Sequence, residues 1–277
     1  MEKSRLVELL QTFSGTDWRE LKKFLRSPFF NAQERPVRLA EAIEKGLFGK
    51  NGLSKEAVFS QIFPEKPYDD QTLRLGMSEL LKLAEQFLIH RETQPESPER
   101  TQIVLATAYR KRGLGRHFER SVKNAQEKKA AQPLRHASFH ADEHDLAFEK
   151  YQMVSARVRT QELNLPELEG SMDAAFLARR LRLACFSQSH KTVWQRDETG
   201  ANPGNGLLGL LLDYIEKNAQ LIDYPAIGVY FYGLKALAPT GSGDDFSTFK
   251  RAIFDHATAF PEDELRNLYL LAINFCI

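Results

Sequence analysis

The chain of 277 residues is long enough to form one large domain or two smaller ones, each with a well-buried core. It contains 36 Leu and 27 Ala residues but only 9 Val and 10 Ile residues. This balance excludes a mainly β fold, because β-branched residues favour strands and unbranched residues favour helices. The 38 Lys and Arg residues against 37 Asp and Glu residues leave a net charge of +1, too small for a global field that recruits nucleic acid or membranes.

The cysteines and the chain start indicate a cytoplasmic protein. Cys185 and Cys276 lie in apolar, helix-like runs, where buried free thiols in a reducing compartment explain them better than a disulfide framework. The first residues lead into an amphipathic pattern, whereas a signal peptide needs an uninterrupted apolar run. No stretch reaches the roughly 18 consecutive apolar residues that span a bilayer, so we expect no membrane partner.

Residues 1–92 are predicted to form an N-terminal domain of four or five short helices. Apolar residues recur there at helical spacing, in segments that end at Ser-Gly, Ser-Pro or Gly-rich sites. The strongest segment runs from about Asp69 to His90, and the two aspartates at its start suit the positive end of the helix dipole. Residues 93–99 contain two prolines and no apolar side chain, which predicts a linker.

A second helical region is predicted over residues 100–277. Its segments lie at about 100–112, 116–132, 137–162, 171–191, 206–221, 225–237, 245–259 and 262–276. The run Val229–Tyr232 is locally β-like but lies between helical neighbours, so we interpret it as helix. The stretch from Gln195 to Gly206 lacks apolar periodicity and is predicted to be a mobile loop.

The last third of the chain has an internal period. Tyr224-Pro225 and Phe260-Pro261 lie 36 residues apart, and each pair follows one helix and opens another. Helix pairs that repeat at about this spacing are typical of α-solenoids, because each pair must stack on the next to cover its apolar face. Residues 100–277 therefore resemble tetratricopeptide-like helical repeats. The resemblance implies antiparallel helix pairs stacked as a short α-solenoid, and it assigns no binding residue.

A short pattern in the N-terminal domain carries a second resemblance. Residues Phe24 to Asn31 match the pattern Phe-Leu-x-Ser-Pro-x-Phe-Asn. The whole chain is similar to uncharacterised bacterial helical proteins that carry this pattern in their N-terminal segment. That resemblance implies no activity.

The C-terminal stretch is strongly apolar. Nine of the residues 268–277 are apolar, and only Asn274 is polar. A terminal helix normally ends in a cap and a polar fringe. Either this helix is buried inside the fold, or the natural chain continues and a following helix covers it. We favour the second interpretation.

Three histidines are weak candidates for metal ligands. His136, His140 and His144 recur at a spacing of four residues, which places them on one face of a helix. His140 to His144 also match the H-x-x-E-H pattern of inverted zinc proteases, in which two histidines bind Zn²⁺ and Glu143 acts as the general base. No second signature supplies a third ligand, so we favour a structural or surface role and predict no metal.

Two further motifs carry little functional weight. Residues Gly204 to Gly209 spell GxGxxG, but the preceding residues cannot form the buried strand that a dinucleotide site requires. We interpret these glycines as a loop followed by a helix start, and we predict no cofactor. Residues 54–90 suggest a helix-turn-helix motif, but the second helix would begin with Asp69 and Asp70, which repel DNA.

The charge distribution gives the clearest candidate surface. Between Arg100 and His136 the chain carries ten basic residues and only two acidic ones, Glu119 and Glu127. The candidate partner-binding residues are Arg110, Lys111, Arg112, Arg116, Arg120 and Lys123. Such a surface suits an acidic protein partner or the phosphates of a nucleic acid. The alternative is that these are solvated helix faces whose charge is balanced by acidic neighbours in the fold.

The function predicted from these features is that of a non-enzymatic helical scaffold for protein–protein or protein–peptide interaction. No nucleophile motif, phosphate-binding loop or paired-cysteine site is present, and the architecture favours binding in a groove between stacked helices. One alternative is nucleic-acid binding through the basic segment 100–136. Another is a metal-dependent hydrolase that uses His140, Glu143 and His144. The arginines at 179, 180 and 182 could activate Cys185, but we expect an inert buried thiol.

Overall fold

The computed structural model describes residues 1, 3–49, 52–95, 97–155, 163–194, 204–238 and 241–274. Within these ranges the chain forms thirteen α-helices and no β-strand, so the all-α prediction is confirmed. The chain divides into two compact units, one ending at Gln94 and the other beginning at Pro95. None of the described helices is both long enough and apolar enough to cross a bilayer.

The first unit contains five helices. They are α1 (Arg5–Gln11), α2 (Gly15–Arg26), α3 (Glu34–Phe48), α4 (Lys55–Ile62) and α5 (Asp70–Glu92). Side chains of Ser4, Ser14, Ser54 and Asp69 accept hydrogen bonds from the free N–H groups that start α1, α2, α4 and α5. Helix α5 contacts all four other helices and forms the centre of the unit.

A tight turn between α2 and α3 contains the Phe24–Asn31 pattern. The Asn31 amide donates hydrogen bonds to the Leu25 and Gln33 carbonyls at 2.8 and 2.6 Å, and its side-chain oxygen accepts one from the Gln33 N–H. The Phe30 ring stacks on Phe24 with their centroids 4.1 Å apart. Phe29, at the tip, is 89% exposed. The residues named in the pattern therefore shape the turn, and its two open positions, Arg26 and Phe29, face solvent.

In its described ranges the second unit contains eight α-helices and two short 3₁₀-helices. The α-helices are α6 (Pro98–Lys111), α7 (Gly115–Ala131), α8 (Ala137–Ser155), α9 (Leu165–Trp194), α10 (Gly204–Lys217), α11 (Pro225–Ala236), α12 (Gly243–Asp255) and α13 (Glu262–Asn274). The 3₁₀-helices span Ala219–Asp223 and Ala257–Ala259. The run Val229–Tyr232 lies inside α11, as predicted.

Helices of the second unit pack in successive pairs. Helix α6 packs on α7, α8 on α9, and α11 on α12, while α6–α8 and α9–α11 contacts join one pair to the next. A turn of three residues reverses the chain between α6 and α7, and Gly113 adopts a φ of 71° there, a conformation that favours glycine. Helix α13 contacts both α12 and α9. This succession of antiparallel pairs is the arrangement predicted for a short α-solenoid.

Several predicted boundaries are wrong. Helix α9 begins at Leu165 rather than near 171, because Pro166 fits the first turn of a helix and does not delay its start. Helix α10 begins at Gly204, inside the predicted loop, and residues 195–203 of that loop lie outside the described residues. The helix predicted over 206–221 ends at Lys217, where the Asn218 side chain donates to the Tyr214 carbonyl at 2.8 Å. Residues 156–162 of the predicted 137–162 helix also lie outside the described residues.

Helix α11 forms the core of the second unit. Its residues Ile227, Val229, Tyr230 and Phe231 are at most 2% exposed, so the middle of this helix is buried on every side. Gly228 permits this burial, because a Cβ atom at that position would lie only 2.3 Å from the Ile222 carbonyl oxygen of the first 3₁₀-helix.

We therefore expect Gly228→Ala to lower the free energy of unfolding by about 2–3 kcal/mol, since the added methyl group meets backbone that must shift. Gly209→Ala in α10 is the matched control, because a Cβ atom there meets nothing within 4 Å. It should raise the free energy of unfolding by about 0.5–1 kcal/mol through the better helix propensity of alanine. Urea denaturation followed by circular dichroism measures both changes. Equal effects of the two substitutions would contradict the close approach.

Candidate functional site

The basic segment divides into cations that the fold neutralises and cations that it leaves in solvent. Arg100 Nη1 lies 2.9 Å from Asp142 Oδ1 and also pairs with Asp145. Arg110 forms two hydrogen bonds with Glu149, from Nε to Oε2 at 2.6 Å and from Nη2 to Oε1 at 3.2 Å. These contacts join α6 to α8, so both arginines hold neighbouring helix pairs together.

The Arg110–Glu149 ion pair is largely withdrawn from water. The two side chains are 20% and 11% exposed. The hydrogen bonds from Arg110 to Glu149 raise the pKa of the guanidinium above its ordinary value. Sequence reasoning placed Arg110 among the partner-binding residues, whereas in the fold its charge is committed to Glu149. No local sequence pattern indicates this pairing, because the two residues lie 39 positions apart.

Lys129 belongs to a second buried cluster. Its ammonium group lies 3.4 Å from Glu143 Oε1 and 4.5 Å from the centroid of the Phe139 ring. Burial lowers the pKa of Lys129 below its ordinary value, although Glu143 opposes the shift. Glu143 Oε2 in turn lies 3.1 Å from His140 Nδ1. Partial burial raises the pKa of Glu143, but the contacts with His140 and Lys129 outweigh it and lower that pKa overall.

The remaining candidate cations form one exposed surface, which we call the basic face. Lys111 and Arg112 end α6, and Arg116, Arg120 and Lys123 follow at the spacing of one helical stripe along α7. Arg112 donates to the Ala108 carbonyl at 2.9 Å, and Lys123 lies 3.8 Å from Glu127. In the part of the chain that the structure describes, Lys111, Arg112, Arg116 and Arg120 have no carboxylate at salt-bridge distance. Four of the five cations of the basic face can therefore bind an anionic partner without breaking an internal ion pair, and Lys123 gives up only its exposed contact with Glu127.

The three histidines do not form one helical stripe. Helix α8 begins at Ala137, so His136 lies just before it, and only His140 and His144 lie within it. His140 is 1% exposed and its ring packs against Tyr224, with centroids 5.4 Å apart. Among the described residues, no three His, Cys, Asp or Glu side chains are arranged to hold a metal ion. The H-x-x-E-H pattern thus places a buried imidazole against a carboxylate.

The other motifs have structural positions. Gly204 to Gly209 form the first turns of α10. Asp70 at the start of α5 pairs with Lys55 at 2.7 Å, so the helix end considered for DNA recognition is already engaged in an ion pair. Cys185 is buried and its thiol donates to the Tyr230 carbonyl at 3.2 Å, and burial raises its pKa. Cys276 lies outside the described residues.

Sequence reasoning missed a buried polar network in the second unit. The Tyr230 hydroxyl donates to Glu264 Oε1 at 2.7 Å, and Arg182 Nη1 lies 3.5 Å from Glu264 Oε2. The Glu264 side chain is only 2% exposed. Its position in the first turn of α13 is typical of an ordinary solvated acid, and the residues that bury it lie far away in sequence. The network connects α9, α11 and α13.

His136 lies in the electrostatic field of this network. Burial lowers the pKa of His136 below its ordinary value. The charge of Arg182 acts in the same direction, while Glu264 and Asp142 oppose it. The folded state therefore binds a proton at His136 less readily than the unfolded chain does.

No family model, curated protein or solved structure matches this chain. The tetratricopeptide-like resemblance therefore stays a prediction, while the all-helical, paired architecture stands on the structure itself. The charges and contacts of this chain are then the guide to its function.

Arg110→Met should lower the free energy of unfolding by about 3 kcal/mol, because it leaves the Glu149 carboxylate buried without its partner. Arg112→Met, at an exposed position two residues away, is the control and should change it by less than about 0.5 kcal/mol. Adding Glu149→Leu to the Arg110→Met variant should restore most of the loss. Denaturation in urea measures all three. Similar losses for Arg110→Met and Arg112→Met would show that the ion pair is not structural.

The lowered pKa of His136 predicts a pH-dependent stability. The unfolded state takes up the proton first, so the free energy of unfolding should fall as the pH drops below the ordinary histidine pKa of 6.5. His136→Gln should make that fall shallower between about pH 7.5 and 5.5, a range above the titration of most carboxylates. Urea titrations at both pH values test this, with the exposed His117→Gln as the control variant. An unchanged slope in His136→Gln would refute the assignment.

Proposed function

We propose that this chain is a non-enzymatic, tetratricopeptide-like helical-repeat scaffold that binds an acidic segment of another protein on its basic face. One observation carries the proposal: the fold neutralises Arg100, Arg110 and Lys129 internally, yet of the five exposed cations nearby only Lys123 has a carboxylate at salt-bridge distance among the described residues. Like charges grouped in this way repel one another, and an acidic ligand relieves that repulsion.

The dimensions of the basic face suit a short peptide segment. Arg116 and Lys123 are seven residues apart on α7, which corresponds to about 10 Å along the helix axis. Lys111 and Arg112 extend the surface across the turn that joins α6 to α7. An acidic stretch of a few residues can meet all five cations at once, and the binding strength should fall with added salt.

An acidic protein segment fits this surface better than a nucleic acid does. Glu119 and Glu127 are exposed on the same helix and limit the uninterrupted positive surface to a short stretch, which suits a short acidic segment better than an extended line of phosphates. The nearby rings of Tyr109 and His117 contact each other, with centroids 5.2 Å apart, whereas single-strand binding uses aromatic rings on which successive bases stack. The experiment must therefore distinguish the binding of an acidic peptide from the binding of a nucleic acid.

The experiment is a fluorescence anisotropy titration of the full chain with a labelled oligoglutamate peptide. The double variant Arg116→Glu/Arg120→Glu should bind at least about tenfold more weakly, since each lost pairing costs on the order of 1 kcal/mol. Lys128→Glu is the matched control for the single variant Arg116→Glu, because each makes the same charge change on the exposed surface of α7 and Lys128 lies outside the stripe. It should bind within about twofold of the unmodified chain.

Two outcomes would contradict the proposal. Equal weakening by Lys128→Glu and by the single variant Arg116→Glu would show that net charge alone controls binding. Tighter binding of a labelled oligothymidylate than of oligoglutamate, lost in the double variant and steeply dependent on salt, would favour the nucleic-acid alternative.

A further inference from the structure

A second candidate surface lies at the α12–α13 packing. These helices enclose a groove of about 450 Å³. Its walls include Phe246, Lys250, Ile253, Phe254, Tyr269 and Ile273. On α12 the residues 246, 250 and 254 follow one another at the spacing of a single helical face, and on α13 residues 269 and 273 do the same. Two helical ridges therefore border one apolar channel.

The groove exposes a concentration of large apolar side chains. Phe254 is 58% exposed, Ile273 is 54% exposed and Tyr269 is 38% exposed. The rings of Phe254 and Tyr269 lie 6.2 Å apart, so the exposed surface is continuous from one helix to the other. Burying such side chains against a partner yields roughly 25 cal/mol per Å² of apolar surface. Grouped exposure of this kind marks a binding surface more often than chance.

The charge of the groove indicates which kind of ligand it can bind. Lys250 is the charged residue that lines it, and it lies between Phe246 and Phe254 on the same face of α12. Within the described ranges, no carboxylate lies at salt-bridge distance from Lys250. A complementary ligand therefore carries apolar side chains that meet Phe254, Tyr269 and Ile273 and one acidic side chain opposite Lys250.

Length and area favour a single helix as the occupant. From Phe246 to Phe254 the groove extends about 12 Å, or a little over two helical turns. The exposed parts of three large side chains amount to roughly 300 Å², well below the about 800 Å² per subunit that a stable dimer buries. A second copy of the chain therefore gains too little on this face, while a short helix covers it fully.

We propose that the α12–α13 groove binds an amphipathic helix of a partner protein, with an acidic side chain opposite Lys250. The ligand presents apolar residues at positions i, i+4 and i+7, which meet the rings of Phe254 and Tyr269 and the side chain of Ile273. The groove is independent of the basic face, because the residues involved lie on different helices.

A charge exchange tests the proposal directly. Two synthetic amphipathic helical peptides are used, identical except for a Glu or a Lys at the centre of the apolar face. The unmodified chain should bind the Glu peptide about tenfold more tightly than the Lys peptide, and Lys250→Glu should reverse this preference. Ile273→Asp should abolish binding of both peptides. Isothermal titration calorimetry on the full chain measures each affinity.

Matched variants separate binding in the groove from a general effect of added charge. Leu183→Asp places the same charge at another exposed apolar position, on α9, and should leave both affinities unchanged. Arg116→Glu/Arg120→Glu should also leave both peptide affinities unchanged. A loss of oligoglutamate binding on the basic face can therefore be distinguished from a loss of peptide binding in the groove. A preference that Lys250→Glu does not reverse would overturn the proposal. Sedimentation velocity that shows a dimer dissociated by Ile273→Asp would overturn it as well, because the groove would then bind a second copy.

Discussion

The burial of the middle of α11 on every side is the constraint on which the second unit depends. A helix that is apolar on every side must be covered on every side, and α9, α12 and the first 3₁₀-helix provide that cover. The close approach of Ile222 to Gly228 leaves no space for a larger residue. Tyr230 then extends the contact to α13 through Glu264. The positions of the neighbouring helices thus follow from the need to bury the apolar side chains of α11.

The packing of the helices also determines which charged side chains are paired and which lie in solvent. Where helix pairs meet, as at Arg110 and Glu149, opposite charges face each other and exclude water. Where α7 faces solvent, Arg116 and Arg120 have no carboxylate at salt-bridge distance in the described part of the chain, and Lys123 has only the exposed Glu127 at 3.8 Å. A net charge near zero therefore conceals a strongly polarised surface, and it is the distribution rather than the total that bears on binding.

Sequence patterns were sufficient to predict the helices but not to predict which side chains pair with each other. Apolar periodicity is a local property, so it located α5 and identified α11 as a helix despite its β-like residues. The partners of Arg110 and Glu264 are set by the packing of distant segments, and no local pattern encodes them. The start of α9 was misplaced because the residues before position 171 have weak apolar periodicity, although Pro166 is compatible with a first turn.

In the turn between α2 and α3, the residues that fix the backbone conformation differ from the residue at the exposed tip. Asn31 and the stacked rings of Phe24 and Phe30 fix the backbone, while Phe29 is 89% exposed and meets this framework through an edge contact with the Phe30 ring, with centroids 4.9 Å apart. The side chain at position 29 can consequently be replaced without changing the backbone of the turn. Position 29 is thus a natural attachment point for a spectroscopic label that reports on the first unit while leaving its packing intact.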